Sequence, residues 1–221
     1  ELVLVYSDFQ ADTLHFIESQ SNIKLDKMPP SEYTSAGALN RGVRQAEGRI
    51  LVSLNADATP LHVGWLNNLV RPLEDPNIAG VFGRQYPRPD ATPWVKLTYH
   101  RTFGTTAGVR RRIPHFFSNV NSAWRRELWE RHPFSVAVSI AEDFEWAKWA
   151  QSQGYSIVYE PEAEVYHSHN VTFNQLFKRH VQEGRGLYSI TAKPYSVGRL
   201  LASYLVYTTC DVAYFLARGQ V

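Results

Sequence analysis

The chain has 221 residues, 44% hydrophobic and 20% charged, the proportions of a globular protein long enough to bury a sizeable core. A net charge of +2 excludes the strongly basic balance of a protein that grips nucleic acid by its phosphates. The single cysteine, Cys210, excludes an intrachain disulfide and agrees with a reducing compartment.

The opening ELVLVYS is apolar and β-branched and reads as a buried strand. ELVLVYSDF lacks the basic region and long apolar run of a secretory leader. The sequence opens inside a strand and stops soon after a helical pattern, at ARGQV, so it is expected to be part of a longer chain. ADTLHFIESQ has helical spacing, and SAGALNRGVRQAEG is a helix stopped by Gly48. RILVSLNA is a strand, HVGWLNNLVRPLED an amphipathic helix and IAGVFGRQY a third strand. Strands alternating with helices of about a dozen residues indicate an α/β sheet with parallel strands, which binds ligands beyond the carboxyl ends of its strands. Asp57 and Arg84 both fall near such ends.

The middle of the chain reads differently. PRPDATPW is turn-like, and AGVRRRIPH, with three consecutive arginines, reads as an exposed loop. FFSNVNSAW is expected as a strand, AEDFEWAKWAQSQG as a helix ending at Gly154, and YSIVYEP and AEVYHSH as two short strands. TFNQLFKRHVQEGRG and VGRLLASYLVYTTCDVAYFLA are helical patterns.

Several residues have two readings. Asp57 is a solvated turn residue or a carboxylate ligand for a hard cation such as Mg²⁺ or Mn²⁺, which takes oxygen ligands together with substrate phosphates. Glu142 and Asp143 open a helix, so they cap it against the macrodipole or supply a general base. His167 and His169, two apart on a strand, share a face and are a surface pair or ligands for a borderline metal. Arg84 binds phosphate or sugar, or is an ordinary surface arginine. Asn119 and Asn121 hydrogen-bond a polar ligand, or belong to a strand edge.

In order, LNADATP, WLNNLVRPLED, GVFGRQYPRPDA, FFSNVNSAWRRELWE and AEDFEWAKWAQSQGYSIVYEPEAEVYHSH resemble the family 2 glycosyltransferases with a GT-A fold. Among these the chain is most similar to the rhamnosyltransferase-type members of bacterial surface-polysaccharide synthesis, over nearly its whole length. The resemblance implies a Rossmann-like α/β fold with a mostly parallel central sheet and flanking helices. The transferase domain would span residues 1–172, with an amphipathic helical extension over 173–221. The resemblance also implies roles. Asp57, in the place of the last aspartate of a D-x-D motif, would hold Mg²⁺ or Mn²⁺ on the donor diphosphate, with Asn55 in place of the first aspartate. Asp143 would be the catalytic base. His167 would complete the metal or pyrophosphate site, with His169 its neighbour. Asp8, Arg84 and Asn121 would face the donor, and Glu142 and Asn119 the acceptor.

The implied reaction is inverting transfer of a sugar, rhamnose by family lean, from a nucleoside-diphosphate donor to a saccharide or lipid-linked acceptor. Two departures bear on the donor pocket. The chain is expected to begin at the family's second strand, and Tyr6 and Ala11 replace aspartates near the base, leaving Asp8 and Asp12 as the carboxylates there. Two other readings stand beside this one. A sugar-nucleotide nucleotidyltransferase would want a glycine-rich basic loop near the N-terminus, and none is visible. A non-catalytic glycan-binding or scaffolding domain is favoured by Tyr6 and Ala11 and opposed by the joint presence of Asp57, Asp143 and His167.

From Gln175 onward six basic residues face two acidic ones. The apolar stretch from Leu200 to Cys210 is well short of the roughly 20 residues that span a bilayer. A basic, aromatic, apolar helix either packs on its own domain or lies on an anionic membrane surface. The resemblance favours the second, and with it a cytoplasmic protein peripheral to the inner face of a bacterial membrane.

Overall fold

The computed structural model describes residues 1–8, 11–108, 115–138, 140–192 and 196–217. The arginine run 110–112 therefore lies outside the described residues. Contacts divide the chain within its penultimate helix into two units, Glu1–Gly186 and Leu187–Val221.

The first unit runs β1 (Leu2–Tyr6), α1 (Ala11–Glu18), β2 (Ile23–Lys27), α2 (Ser35–Gln45), β3 (Ile50–Leu54), β4 (Thr59–Pro60), α3 (Trp65–Val70), β5 (Ile78–Tyr86), α4 (Pro93–Thr102), β6 (Asn121–Arg125), α5 (Arg126–Arg131), α6 (Glu142–Ser152) and β7 (Ser156–Tyr166). It ends within α7 (Phe173–Thr191). β1 and β2 form a two-stranded parallel sheet, and the other five strands form a sheet in the order β3-β6-β5-β7-β4. The α/β architecture is as expected, but the larger sheet is mixed. β5 and β7 pair in parallel, whereas β6 runs antiparallel between β3 and β5, and β4 antiparallel on β7. Strand–helix alternation could not disclose this, because the strand that fills the space between β3 and β5 comes from much later in the chain.

Apolar layers cover both faces of that sheet. On one, Phe82, Trp124 and Tyr159 of the strands meet Trp146 and Ala150 of α6, Leu128 of α5 and Val43 of α2. On the other, Val81, Ala123 and Ala163 meet Leu69 of α3 and Leu73. Truncating a fully buried aromatic such as Trp146 to alanine costs about 3–5 kcal/mol. α2 starts at Thr34, whose Oγ1 accepts from the Gly37 N–H at 3.0 Å, and it buries Ala36, Asn40 and Val43 at helical spacing. The Asn40 amide is fully used, donating to Phe134 C=O and accepting from Trp129 Nε1.

Several elements differ from the sequence reading. β2 is masked by its charges: Asp26 pairs with Arg41 of α2, and Lys24 with Glu1 and Glu47. α4 begins inside the segment read as turn-like, because Thr92 caps it and Pro93 occupies the first turn, where a missing N–H costs nothing. YSIVYEP and AEVYHSH are one strand with an irregularity. Gly83 pairs with Glu160 but Arg84 pairs with Glu164, so residues 161–163, led by Pro161, bulge out of register. A Cβ on Gly83 would sit 2.1 Å from the Ala163 carbonyl oxygen, so only glycine lets the bulge close against β5.

The second unit contains α8 (Val197–Leu216), which exposes Leu201, Leu205, Val206, Tyr207, Val212 and Leu216. Among the described residues no helix is long and apolar enough to cross a membrane.

Candidate active site

After the bulge, β5 and β7 resume with Gln85 opposite Val165 and Tyr86 opposite Tyr166, and the His167 N–H donates to Tyr86 C=O at 2.9 Å. This register sets Gln85 and His167 on one face. Arg84, Tyr86 and Glu164 take the other, because successive strand side chains alternate. On that opposite face Arg84 lies 3.8 Å from the Glu164 carboxylate and stacks on the Tyr86 ring, whose hydroxyl donates to Glu164.

The loop after β3 brings Asp57 to His167 and His169. An Asp57 carboxylate oxygen lies 3.6 Å from His167 Nε2 and 3.3 Å from His169 Nε2. One ligand atom from each of the three lies within 4.8 Å of the others. The Asp57 side chain is 41% exposed, so the cluster opens to solvent. Arg88 pins this loop, its guanidinium donating to the Asp57 C=O while its own N–H donates to Ser168 Oγ.

His167 is buried, with Nδ1 3.0 Å from Gln85 Oε1 and 3.3 Å from the Tyr99 hydroxyl. Burial pushes its imidazole below the ordinary histidine range, outweighing the upward pull of the Asp57 carboxylate; His169, Arg179 and Arg88 add to the depression. Burial thus favours the neutral ring, the form that ligates metals. Its Nε2 is buried without a hydrogen-bond partner. An orphaned buried nitrogen beside a carboxylate and a second imidazole fits a divalent cation, whose positive charge would satisfy all three groups.

A second carboxylate sits at the start of α6. Ala141, just before it, adopts a left-handed conformation (φ 85°) that is strained for a residue with a Cβ. Gly186 of α7 packs on this turn so closely that a Cβ there would lie 2.3 Å from the Ile140 carbonyl oxygen. Burial pushes the Asp143 carboxyl up to about 7, helped by the neighbouring Glu142 charge and opposed by backbone N–H groups of Phe144, Asn119 and Asp143 itself. Glu142 is buried and accepts from the Ser35 hydroxyl.

Of the residues singled out in the sequence, the structure brings Asp57, His167 and His169 together and sets Asn119 beside Asp143. Asn119 is buried, and its Nδ2 has no hydrogen-bond partner. Asn121 is fully buried with both amide ends engaged, accepting from Trp65 Nε1 and donating to Ala163 C=O, each at 2.8 Å. It thus ties β6 to α3 and β7. Asn55 and Asp8 are exposed, the first just past β3 and the second just past β1. The sequence reading missed Gln85, Arg88, Tyr99 and Ser118. A polar residue inside the apolar run of β5 was the available signal for Gln85, since a buried amide needs partners.

A family profile described as "Glycosyltransferase like family 2" matches residues 2–186. The O-antigen chain rhamnosyltransferase WbaN of Salmonella anatum is 30% identical over 194 residues, covering 83% of this chain and 61% of that protein. The O-antigen chain rhamnosyltransferase RfbN of Salmonella typhimurium is 27% identical, covering 83% and 62%. The chain thus spans less than two thirds of the length of these curated relatives. Among solved structures, the mannosyltransferase PcManGT from Pyrobaculum calidifontis, in complex with GDP-Man and Mn²⁺, superposes with a TM-score of 0.63 at 21% identity. That match covers 90% of this chain and 57% of the other, and it shows a shared GT-A fold.

Proposed function

The chain belongs to the family 2-like glycosyltransferases, and on that premise we propose that it moves a sugar from a nucleoside-diphosphate donor to a saccharide or lipid-linked acceptor, inverting the anomeric carbon. Rhamnose is the sugar proposed, on the likeness to the two O-antigen rhamnosyltransferases. The observation that carries the reading is the cluster of Asp57, His167 and His169, with the orphaned Nε2 of His167 turned toward the carboxylate.

Asp57, His167 and His169 would hold the cation, and two imidazoles beside one carboxylate suit Mn²⁺ better than Mg²⁺, which prefers oxygen ligands. Such an ion supplies positive charge to a leaving nucleoside diphosphate. Asp143 takes the proton of the acceptor hydroxyl as that oxygen attacks the anomeric carbon from the face opposite the diphosphate. A carboxyl near 7 suits a base that works at neutral pH. Asn119 Nδ2, a buried donor still to be satisfied, is available to orient the acceptor. Arg88 holds the Asp57 loop in place and adds positive charge beside it.

The apolar side chains exposed on α8 suit a peripheral contact with the inner face of a bacterial membrane, where a lipid-linked acceptor would lie. Flotation with anionic lipid vesicles tests that contact, and a protein left entirely at the bottom of the gradient would exclude it.

The experiment for the donor site is calorimetric titration with dTDP, UDP and GDP, each with and without Mn²⁺, on this chain and on Asp57→Ala. Binding of one nucleotide that needs the cation and disappears in the variant is expected. Equal binding by both proteins would overturn the assignment of Asp57.

A further inference from the structure

We infer that Gln85 is a positioning residue for this site: its amide oxygen holds His167 in the Nδ1–H tautomer, so that the Nε2 lone pair faces the position shared with Asp57 and His169. The inference rests on the cation reading above but concerns a separate property of the ring.

Gln85 is 4% exposed in a strand that is otherwise largely apolar. An amide in that setting is costly unless both its ends are bonded. Both are. Nε2 donates to Ser118 Oγ at 2.9 Å, which turns Oε1 toward His167 Nδ1 at 3.0 Å. A neutral imidazole has one nitrogen that donates and one that accepts, and an amide oxygen only accepts. The proton therefore sits on Nδ1 and the lone pair on Nε2. The Tyr99 hydroxyl is farther from Nδ1, at 3.3 Å, and can donate or accept, so it does not choose between tautomers. His167 is only 6% exposed, and its Nε2 has no hydrogen-bond partner while it lies 3.6 Å from the Asp57 carboxylate. An Nε2–H tautomer would leave a bare Nδ1 against an acceptor oxygen at 3.0 Å. A ligating histidine whose other nitrogen is fixed by a hydrogen bond is the usual arrangement at metal sites.

The backbone makes this pairing possible. The register shift after Gly83 sets Gln85 opposite Val165, two residues before His167 and on the same face. Ser118 belongs to the segment whose next residue, Asn119, gives its N–H to Asp143. One short stretch before β6 thus fixes the orientation of Gln85 and contacts the proposed base.

The test uses ¹⁵N-histidine-labelled protein without metal, with the His167 signals assigned by their loss in His167→Gln. Long-range ¹H–¹⁵N spectra report which ring nitrogen carries the proton. Mn²⁺ affinity is read separately by electron paramagnetic resonance. Wild type is expected to show a protonated Nδ1 and a bare Nε2. Gln85→Met, of similar volume and without the acceptor oxygen, should mix the tautomers and weaken Mn²⁺ binding by roughly tenfold to a hundredfold. Gln85→Glu, which keeps an acceptor at the same place, should retain both the tautomer and most of the affinity. A protonated Nε2 in the wild type overturns the inference, whatever Mn²⁺ does. Loss in Gln85→Glu as large as in Gln85→Met also overturns it, because packing would then be the role. A correct tautomer in a wild type that binds no Mn²⁺ would support the assignment of the proton and overturn the cation reading alone.

Discussion

The backbone N–H of Asn119 stabilises the Asp143 carboxylate, while burial and the adjacent Glu142 charge push its pKa the other way, up to about 7. The balance leaves a carboxyl whose pKa lies near neutrality, the range the proposed base needs. Transfer activity is expected to rise with pH through about 7 and level off above it. Asp143→Asn should lower turnover by roughly 10²–10⁴-fold with donor affinity kept. A variant that retained wild-type turnover would remove Asp143 from the reaction.

The same group sets the sign of a stability change. A carboxyl whose folded pKa lies above its unfolded value of 3.8 binds more protons folded than unfolded between the two pKa values, so its contribution to stability falls as pH rises from about 4 to about 7. Asp143→Asn removes that dependence. The variant should match wild type near pH 4 and exceed it at pH 8 by on the order of 2–4 kcal/mol. Urea unfolding at the two pH values checks this, and equal stabilities at pH 8 would contradict the raised pKa.

Gly186 of α7 and Ile140 touch through backbone, far apart in sequence. Alanine at a helix interior usually stabilises relative to glycine, by about 1 kcal/mol. Here the added Cβ would push the turn that sets Asp143. Gly186→Ala is expected to lower kcat by roughly tenfold to a hundredfold while nucleotide affinity holds. Unchanged kcat would show that the turn yields without moving the carboxylate.

Asn121 is fully enclosed, so its replacement is expected to act on stability. Asn121→Ala leaves Trp65 Nε1 and the Ala163 carbonyl without their partner, at a cost of about 2–4 kcal/mol. Nucleotide binding of the folded variant is expected to be kept, because both ends of the Asn121 amide are engaged within the protein and neither is left for a ligand. A large loss of affinity with unchanged unfolding would return Asn121 to the donor site.

Gly83→Ala should be worse. Its Cβ would lie 2.1 Å from the Ala163 carbonyl oxygen and 2.3 Å from Asn121 Nδ2, both fixed groups. The bulge in β7 must then open, and the pairing of Gln85 with Val165 goes with it. Loss of at least about 3 kcal/mol in denaturant unfolding is expected, together with weaker Mn²⁺ binding.

The α/β class, most helices and the chain positions of Asp57, Asp143 and His167 were legible in the sequence, because hydrophobic period and turn residues are local signals and the short acidic and histidine segments resemble those of a known family. The faces were only partly legible. Arg84 and Gln85 are adjacent, and strand alternation says that they diverge, but it does not say which one meets His167. That depends on a three-residue bulge in a strand formed far later in the chain, and on a glycine that lets it close. Likewise, Asn119 and Asn121 are equivalent by spacing, yet one ends beside Asp143 and the other is sealed between α3 and β7. Local sequence determines which groups the chain carries to the ends of its strands. Register and burial, set by contacts between distant segments, decide which of those groups keep a free lone pair or proton for chemistry.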